Sequence, residues 1–574
     1  MNPTTLRHPA PPLRFLPEDF QPLTFADLEP HLAELEARPL EDAEALERWL
    51  LDRSELDSAI AEESLRRSYA SQCRTDDEAI EKEHLDYQTV VLPAVKPIDD
   101  RLDRRYLESP FRRELGPQWA VYDREVELAV RLFREENVPL EAKEEELINR
   151  YDRIVGAMTV EFRGETRTLS GLKPFLEDPD RATREASWRA GAGRRLEDRE
   201  ALDGLFDEMK ALRVAQARNA GLANYRDYMH QAKARFDYTP EDCLAFADNV
   251  ATHVMPVLER MQAYRRDALG VDALRPWDGA VDLEGADAFE PFQDQAGQVD
   301  VTARLLDHVD PLFGEELRWM ETADLLDLET RPHKAPGGFM DTYERRRVPT
   351  IFANSGTTHA DIETLVHEGG HALNGLFSRE LEPVAYRMPP LEFAEVASMG
   401  MEAMAMEHLP AVYPGEEARR ARLQSLSGMV TTFSWVATID GFQQWLYTEG
   451  VDASVEERAA KWTAIHDRFN GLVDWSGLDQ ELASLWHRQL HVFQVPFYYI
   501  EYAQAQMGAL QLWILYRRDP EATVRAYREG LALGGSRPLP ELFAAAGLAY
   551  DPRGEGLGEW MAEVEQEWRA ALPS

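Results

Sequence analysis

Ile362, Leu365, Val366, Leu373, Leu376 and Phe377 recur at three- and four-residue spacing, which predicts an amphipathic helix over 358–377. Thr358 followed by Asp361 has the form of a capping box at its start. Inside this stretch lie His367, Glu368 and His371, an H-E-x-x-H run. Residues i and i+4 stand one turn apart on one helix face, so both imidazoles can grip a single Zn²⁺. Glu368, beside the first histidine, can reach a water held by that metal. Gly369 and Gly370 occupy the middle of the same helix, each at a cost of roughly 1 kcal/mol relative to Ala. A glycine pair tolerated there implies that another backbone, or a substrate, passes close by.

A catalytic zinc site uses three protein ligands, so a third is needed. The segment MPPLEFAEVASMGMEAMAME (388–407) begins at Pro389-Pro390, which suits a helix start, and carries Glu392, Glu395 and Glu402 at helical spacing. Glu395 is set among Phe393, Ala394, Val396 and Ala397; such a carboxylate is either a partly exposed surface group or a buried one with a partner. With two histidines upstream, it is the candidate third ligand. Glu402, two turns later on the same face, is a candidate to orient a ligand histidine. Near the C-terminal end, His491, Tyr498, Tyr499 and Tyr502 could donate hydrogen bonds to developing negative charge, or form an aromatic core stripe with Phe493 and Phe497. His359 reads as a capping or solvent-facing residue, and His466 and His487 as structural. Asp440, in ATIDGFQQW, has no role from first principles.

The surrounding chain reads as mostly α. From about Thr24 to Arg134 the periodicity is helical, Val160–Leu169 alternates around Gly164 as a β-hairpin, and 265–300 reads as an irregular insertion. Residues 1–16 form a Pro-rich leader. Two regions are expected: an N-terminal helical region, 1–200, with the hairpin near 160–169, and a catalytic region, 201–574. Before the motif helix, Pro349–Asn354 reads as a short strand that an extended peptide could join, with Gly337-Gly338-Phe339 as a turn able to act as a lid. With 63 basic and 104 acidic residues the formal charge is −41, which repels phosphate backbones and argues against nucleic acid as a partner. The run from Met507 to Tyr516 is too short to span a bilayer, no signal-peptide core opens the sequence, and Cys73 and Cys243 cannot build a disulfide framework. A cytoplasmic protein is expected, with no membrane partner and no oligomeric state specified.

The stretches HEGGHALN, FAEVASMGME and HVFQVPFYYIEYAQAQ resemble the thimet oligopeptidase and oligoendopeptidase F family of zinc metallopeptidases. So do ALRVAQARNAGLANYRDYMHQAKARFDYTPED (211–242) and VEFRGETRTLSGLKPFLEDPDRATREASW. The resemblance covers roughly residues 155–565 and is closer to the oligoendopeptidase F branch. It implies a large helical zincin-type peptidase whose two lobes flank a deep channel, with a small β-sheet beside the zinc helix. It implies one Zn²⁺ per chain on His367, His371 and Glu395, with Glu368 as general base. It also implies that His491, Tyr502 and Tyr499 donate to the oxyanion, with Tyr498 in reserve. The sequence departs from the thimet pattern here: the His-to-Tyr spacing is one residue shorter, and Val495-Pro496 replaces a Gly- and Tyr-containing loop. The expected activity is cleavage of internal bonds in short unfolded peptides through a metal-activated water. A zinc carboxypeptidase or dipeptidyl carboxypeptidase is the nearer alternative; it needs a cation for the substrate carboxylate, for which Arg345, Arg346 and Arg347 are candidates. A non-catalytic helical peptide-binding protein is the more distant one.

Overall fold

The structure, a computed structural model, describes residues 7–285, 289–335 and 337–573. It is mostly helical with two small sheets, and it forms two compact units. The first comprises 1–133, 289–423 and 504–550; the second comprises 134–288, 424–503 and 551–574.

In the first unit, helix α1 (Ala43–Cys73) starts where the Asp42 carboxylate accepts a hydrogen bond from Ala45 N at 2.7 Å. Its Leu46, Trp49, Leu50 and Leu56, spaced by three, one and six residues, are buried with Leu28, Leu102 and Trp119. In the second unit, strands β1 (Thr159–Phe162) and β2 (Glu165–Thr168) pair antiparallel, forming the expected hairpin. Arg163 and Gly164 at its tip have φ of 53° and 81°, the left-handed pair that a two-residue type I′ turn requires. Trp462, Trp486, Phe206 and Phe493 centre this unit's core.

The expected insertion over 265–300 is shorter than its composition suggested. Its first residues complete helix α2 (Met255–Leu269), which stops at Gly270 in a left-handed conformation, φ 63°. Its last belong to helix α3 (Gln295–Val309), whose cap is Asp294, accepting from Gly297 N at 2.8 Å. Gly270 and Asp294 punctuate the two helices, while the described residues between them are irregular as expected apart from a short turn at Pro276–Asp278; residues 286–288 lie outside the described chain.

Back in the first unit, β3 (Leu326–Glu329), β4 (Phe339–Tyr343) and β5 (Val348–Ser355) form a sheet of order β3-β5-β4. β5 is parallel to β3 and antiparallel to β4, and Val348 through Ala353 are all buried, as befits a central strand covered on both faces. The idea that a peptide joins β5 therefore fails, because both of its edges are already paired; β4 is the outer strand next to the motif helix. The Gly337-Gly338 turn is tied to the end of β5 by Asn354, whose Nδ2 donates to Gly337 O at 3.0 Å.

The sheet leads into helix α4 (His359–Ser378), then α5 (Leu391–Ala405), the long α6 (Gly415–Leu446), α7 (Tyr499–Arg518) and α8 (Pro520–Leu531). Among the described residues, no helix is long and apolar enough to cross a membrane.

Candidate active site

Helix α4 begins as its sequence suggests: Asp361 Oδ2 accepts from Thr358 N at 2.8 Å and from Thr358 Oγ1 at 2.7 Å. Ile362, Leu365, Val366 and Leu373 are buried, which fixes the rotation of the helix and places His367 and His371 on its other flank.

The two mid-helix glycines differ in what surrounds them. A Cβ on Gly369 would find nothing nearer than Leu306 Cδ1 at 3.9 Å, an ordinary contact. A Cβ on Gly370 would stand 2.6 Å from Ala397 O and 2.7 Å from Ser398 Cα, both backbone atoms of α5. Gly370 is thus where the neighbouring helix passes, and its missing side chain lets α5 come close enough to present Glu395 to the histidines. α5 is also held by α8, whose Tyr527 hydroxyl donates to the same Ala397 O at 2.6 Å.

Glu395 Oε2 lies 3.4 Å from His367 Nε2 and 3.5 Å from His371 Nε2, and the three donor atoms all fall within 4.8 Å of one another. The Glu395 carboxylate is buried and also accepts from Ser398 Oγ at 2.9 Å. Burial pushes it up, but hydrogen bonds from His367 and His371 outweigh this and hold it well below the usual carboxylate range. Burial lowers His367, yet Glu395 and Glu402 overcome it and raise the ring well above its ordinary value. The Glu402 carboxylate accepts a short hydrogen bond from His367 Nδ1, so Nδ1 keeps its proton and Nε2, which faces Glu395, is the nitrogen a metal would take once it displaces the proton there. Two imidazole nitrogens and a carboxylate oxygen are a ligand set that Zn²⁺ takes readily.

Glu368 is also buried, 7 % exposed. Burial pushes its carboxyl up; the charges of His367 and His371 and a hydrogen bond from the Met340 backbone N–H act in the opposite sense. β4 thus contributes a main-chain donor to this glutamate, a contact that no side-chain pattern could announce. Ser398 was equally unforeseen, although its place three residues after Glu395 on one helix was a usable signal.

In the second unit, His491, Tyr498, Tyr499 and Tyr502 form one ring cluster. The His491 ring centroid is 4.9 Å from that of Tyr499 and 6.0 Å from that of Tyr502, and the two tyrosines are 5.3 Å apart. Gln489, two residues upstream, sets the histidine tautomer. Trp435 Nε1, a donor only, points at Gln489 Oε1 at 2.8 Å, so the amide nitrogen faces His491 Nδ1 at 2.6 Å and donates to it. A neutral His491 therefore carries its proton on Nε2.

The remaining candidates are internal. His359 Nδ1 contacts the Tyr413 hydroxyl at 3.0 Å, His487 lies 3.2 Å from Asp203, and burial drives His466 down to about 4. The arginines considered for a carboxypeptidase are committed elsewhere. Arg345 donates to Phe20 O and Glu18 O, both at 2.6 Å; Arg346 pairs with Glu62 at 2.9 Å; Arg347 donates to Arg379 O at 2.9 Å.

The model of peptidase family M3 matches residues 175–306 and 310–556, a span that includes both α4 and α5. The chain belongs to peptidase family M3. An oligoendopeptidase F homolog of Lactococcus lactis subsp. lactis is 25 % identical over 334 residues, 56 % of this chain and 53 % of that protein. The group B oligopeptidase PepB of Streptococcus agalactiae is 23 % identical over 325 residues, 55 % and 52 % of the two. These alignments span about half the length of the curated relatives. The likeness in structure is wider: PZ peptidase A, solved with an inhibitor, superposes with a TM-score of 0.90 at 27 % identity, covering 97 % of this chain and 99 % of that one.

Proposed function

We propose that the chain is a zinc-dependent oligoendopeptidase that hydrolyses internal bonds of short, unfolded peptides. The observation that carries this reading is the convergence of His367 Nε2, His371 Nε2 and Glu395 Oε2 from two helices, beside a buried Glu368. Three protein donors are the number a catalytic zinc site uses, against four in a structural one. A zinc ion held there supplies Lewis acidity, polarising the scissile carbonyl and lowering the pKa of water. Glu368 takes a proton from the attacking water and passes it to the leaving amine. Glu402 keeps the His367 ring in the tautomer that offers Nε2. Following the family resemblance, Tyr502 or Tyr499 and the Nε2–H of His491 donate hydrogen bonds to the oxyanion. Membership of family M3 and the peptidase names of similar proteins support peptides as the substrate class. Free Cys73 and Cys243 fit the cytoplasmic setting expected from the sequence.

Internally quenched peptides with both ends blocked test the endopeptidase reading. Cleavage that a chelator abolishes is expected; cleavage only of substrates with a free C-terminus would move the chain to the carboxypeptidases. The internal partners of Arg345, Arg346 and Arg347 weaken that alternative. Glu395→Ala is expected to lower zinc affinity by on the order of 10²-fold or more, since losing even an outer hydrogen-bond partner of a ligand costs 10–100-fold. Unchanged zinc content after dialysis would reassign that ligand. Tyr502→Phe is expected to lower kcat by on the order of 10²-fold with zinc content unaltered, and a near-normal rate would transfer the donor role to Tyr499 or Tyr498.

A further inference from the structure

The tyrosine cluster starts from an unusual piece of backbone. Phe497, immediately before Tyr498, has φ 62°, in the left-handed region that a residue with a Cβ rarely adopts. Its own side chain is buried in the core of the second unit. Its peptide groups are held from both sides. Phe497 N donates to Gln443 Oε1 at 2.8 Å, and Phe497 O accepts from Arg235 Nη2. The same guanidinium nitrogen donates to Glu501 Oε1 at 2.6 Å, one residue before Tyr502. Lys233 joins from the same segment: its Nζ lies 3.4 Å from Glu501 Oε1 and 5.0 Å from the Tyr498 ring centroid, over the ring face.

Asp440 also finds a place here. On α6, Asp440, Gln443 and Gln444 stand at i, i+3 and i+4, and all three are buried. Gln444 Nε2 donates to Asp440 Oδ2 at 3.3 Å, and Arg235 is the charged group that most favours an ionised Asp440. Arg235 is thus a buried cation facing two buried carboxylates and the carbonyl of the strained residue. A guanidinium can serve several acceptors at fixed angles, which an ammonium cannot. Together these groups set the direction in which the chain leaves Phe497 and enters α7.

We infer that Arg235, with Gln443 on the opposite side of Phe497, is a positioning residue that fixes the turn carrying Tyr498, Tyr499 and Tyr502 and so sets the aim of the oxyanion donor. The inference rests on the peptidase reading above. It predicts an effect on turnover that is transmitted through a tyrosine hydroxyl, not through substrate affinity or metal.

The test is a double-mutant cycle between Arg235→Met and Tyr502→Phe, repeated with Tyr499→Phe and Tyr498→Phe, using the zinc-loaded full chain and a quenched peptide. Arg235→Met is expected to lower kcat about 10- to 100-fold, with KM and zinc content within about twofold of the parent. In the background of the tyrosine that donates, the same change is expected to cost less than about threefold, because the hydroxyl it aims is gone. Arg235→Lys, which retains charge but not the fork, is expected to fall between. Should Arg235→Met fail to fold, judged by its melting curve, Gln443→Leu removes the other support of Phe497 and is expected to give the same non-additive loss. A parent-like rate, a loss seen only in KM, or full additivity with all three tyrosine variants would overturn the inference. Failure of the peptidase reading looks different: the parent cleaves nothing, or Glu368→Gln is as active as the parent, and the inference then falls with it.

Discussion

Glu368→Gln is expected to keep its metal and lose turnover by on the order of 10³- to 10⁴-fold, the upper part of the range for a general base. The glutamine amide has the size of the carboxyl, and its oxygen can still accept the Met340 N–H that Glu368 receives. It has no basic oxygen with which to take a proton at neutral pH. Stability should move in the opposite direction. A buried carboxylate carries a desolvation cost that a neutral amide avoids, so the variant is expected to melt at the parent's temperature or above it. The three readouts together isolate the chemistry: zinc content, melting temperature and kcat/KM. A rate within tenfold of the parent at full zinc occupancy would remove Glu368 from the mechanism.

Gly370→Ala should do the reverse, damaging the site through the fold. The added methyl would stand 2.6 Å from Ala397 O, about 1 Å inside an ordinary contact, and the obstacle is backbone that no rotamer change can move aside. Two effects of similar size oppose each other. Alanine improves helix propensity by roughly 1 kcal/mol, while overpacking costs roughly 1–3 kcal/mol. The net change in stability is small, ~0–2 kcal/mol downward, but α5 relieves the clash only by backing away from α4, taking Glu395 with it. Zinc affinity is therefore expected to drop at least tenfold, with activity following it. Gly369→Ala provides the internal control. With its nearest neighbour at 3.9 Å it should gain about 1 kcal/mol of stability and retain zinc. Equal zinc retention by the two variants would refute this account of Gly370.

The motif helix was legible because its evidence is local: a 3.6-residue period, a cap and two histidines one turn apart all lie within 358–377. The glycine pair announced a close neighbour, but only coordinates could say that Gly370 meets α5 while Gly369 meets an ordinary side chain. Glu395 was ambiguous from its apolar surroundings and gained its role from the company of the histidines. The strand at 349–354 was legible as a strand, yet its central place was not, since pairing with β3 and β4 is decided by residues up to 25 positions earlier in the chain. Arg235 was invisible for the same reason on a larger scale: its acceptor at Phe497 lies 262 residues away. Periodicity reports what a segment does with its own faces; it carries no information about which distant carbonyl a buried guanidinium will find.

Neither compact unit is a continuous piece of chain. The first needs residues 504–550 and the second needs residues from 551 onward, so neither has all of its segments until the chain has been made beyond residue 503. An N-terminal domain that emerges whole from the ribosome can fold while the rest is being made. Here neither unit is a continuous N-terminal piece that could fold in that way. Truncation from the C-terminal side should accordingly give not a smaller working fragment but two incomplete ones.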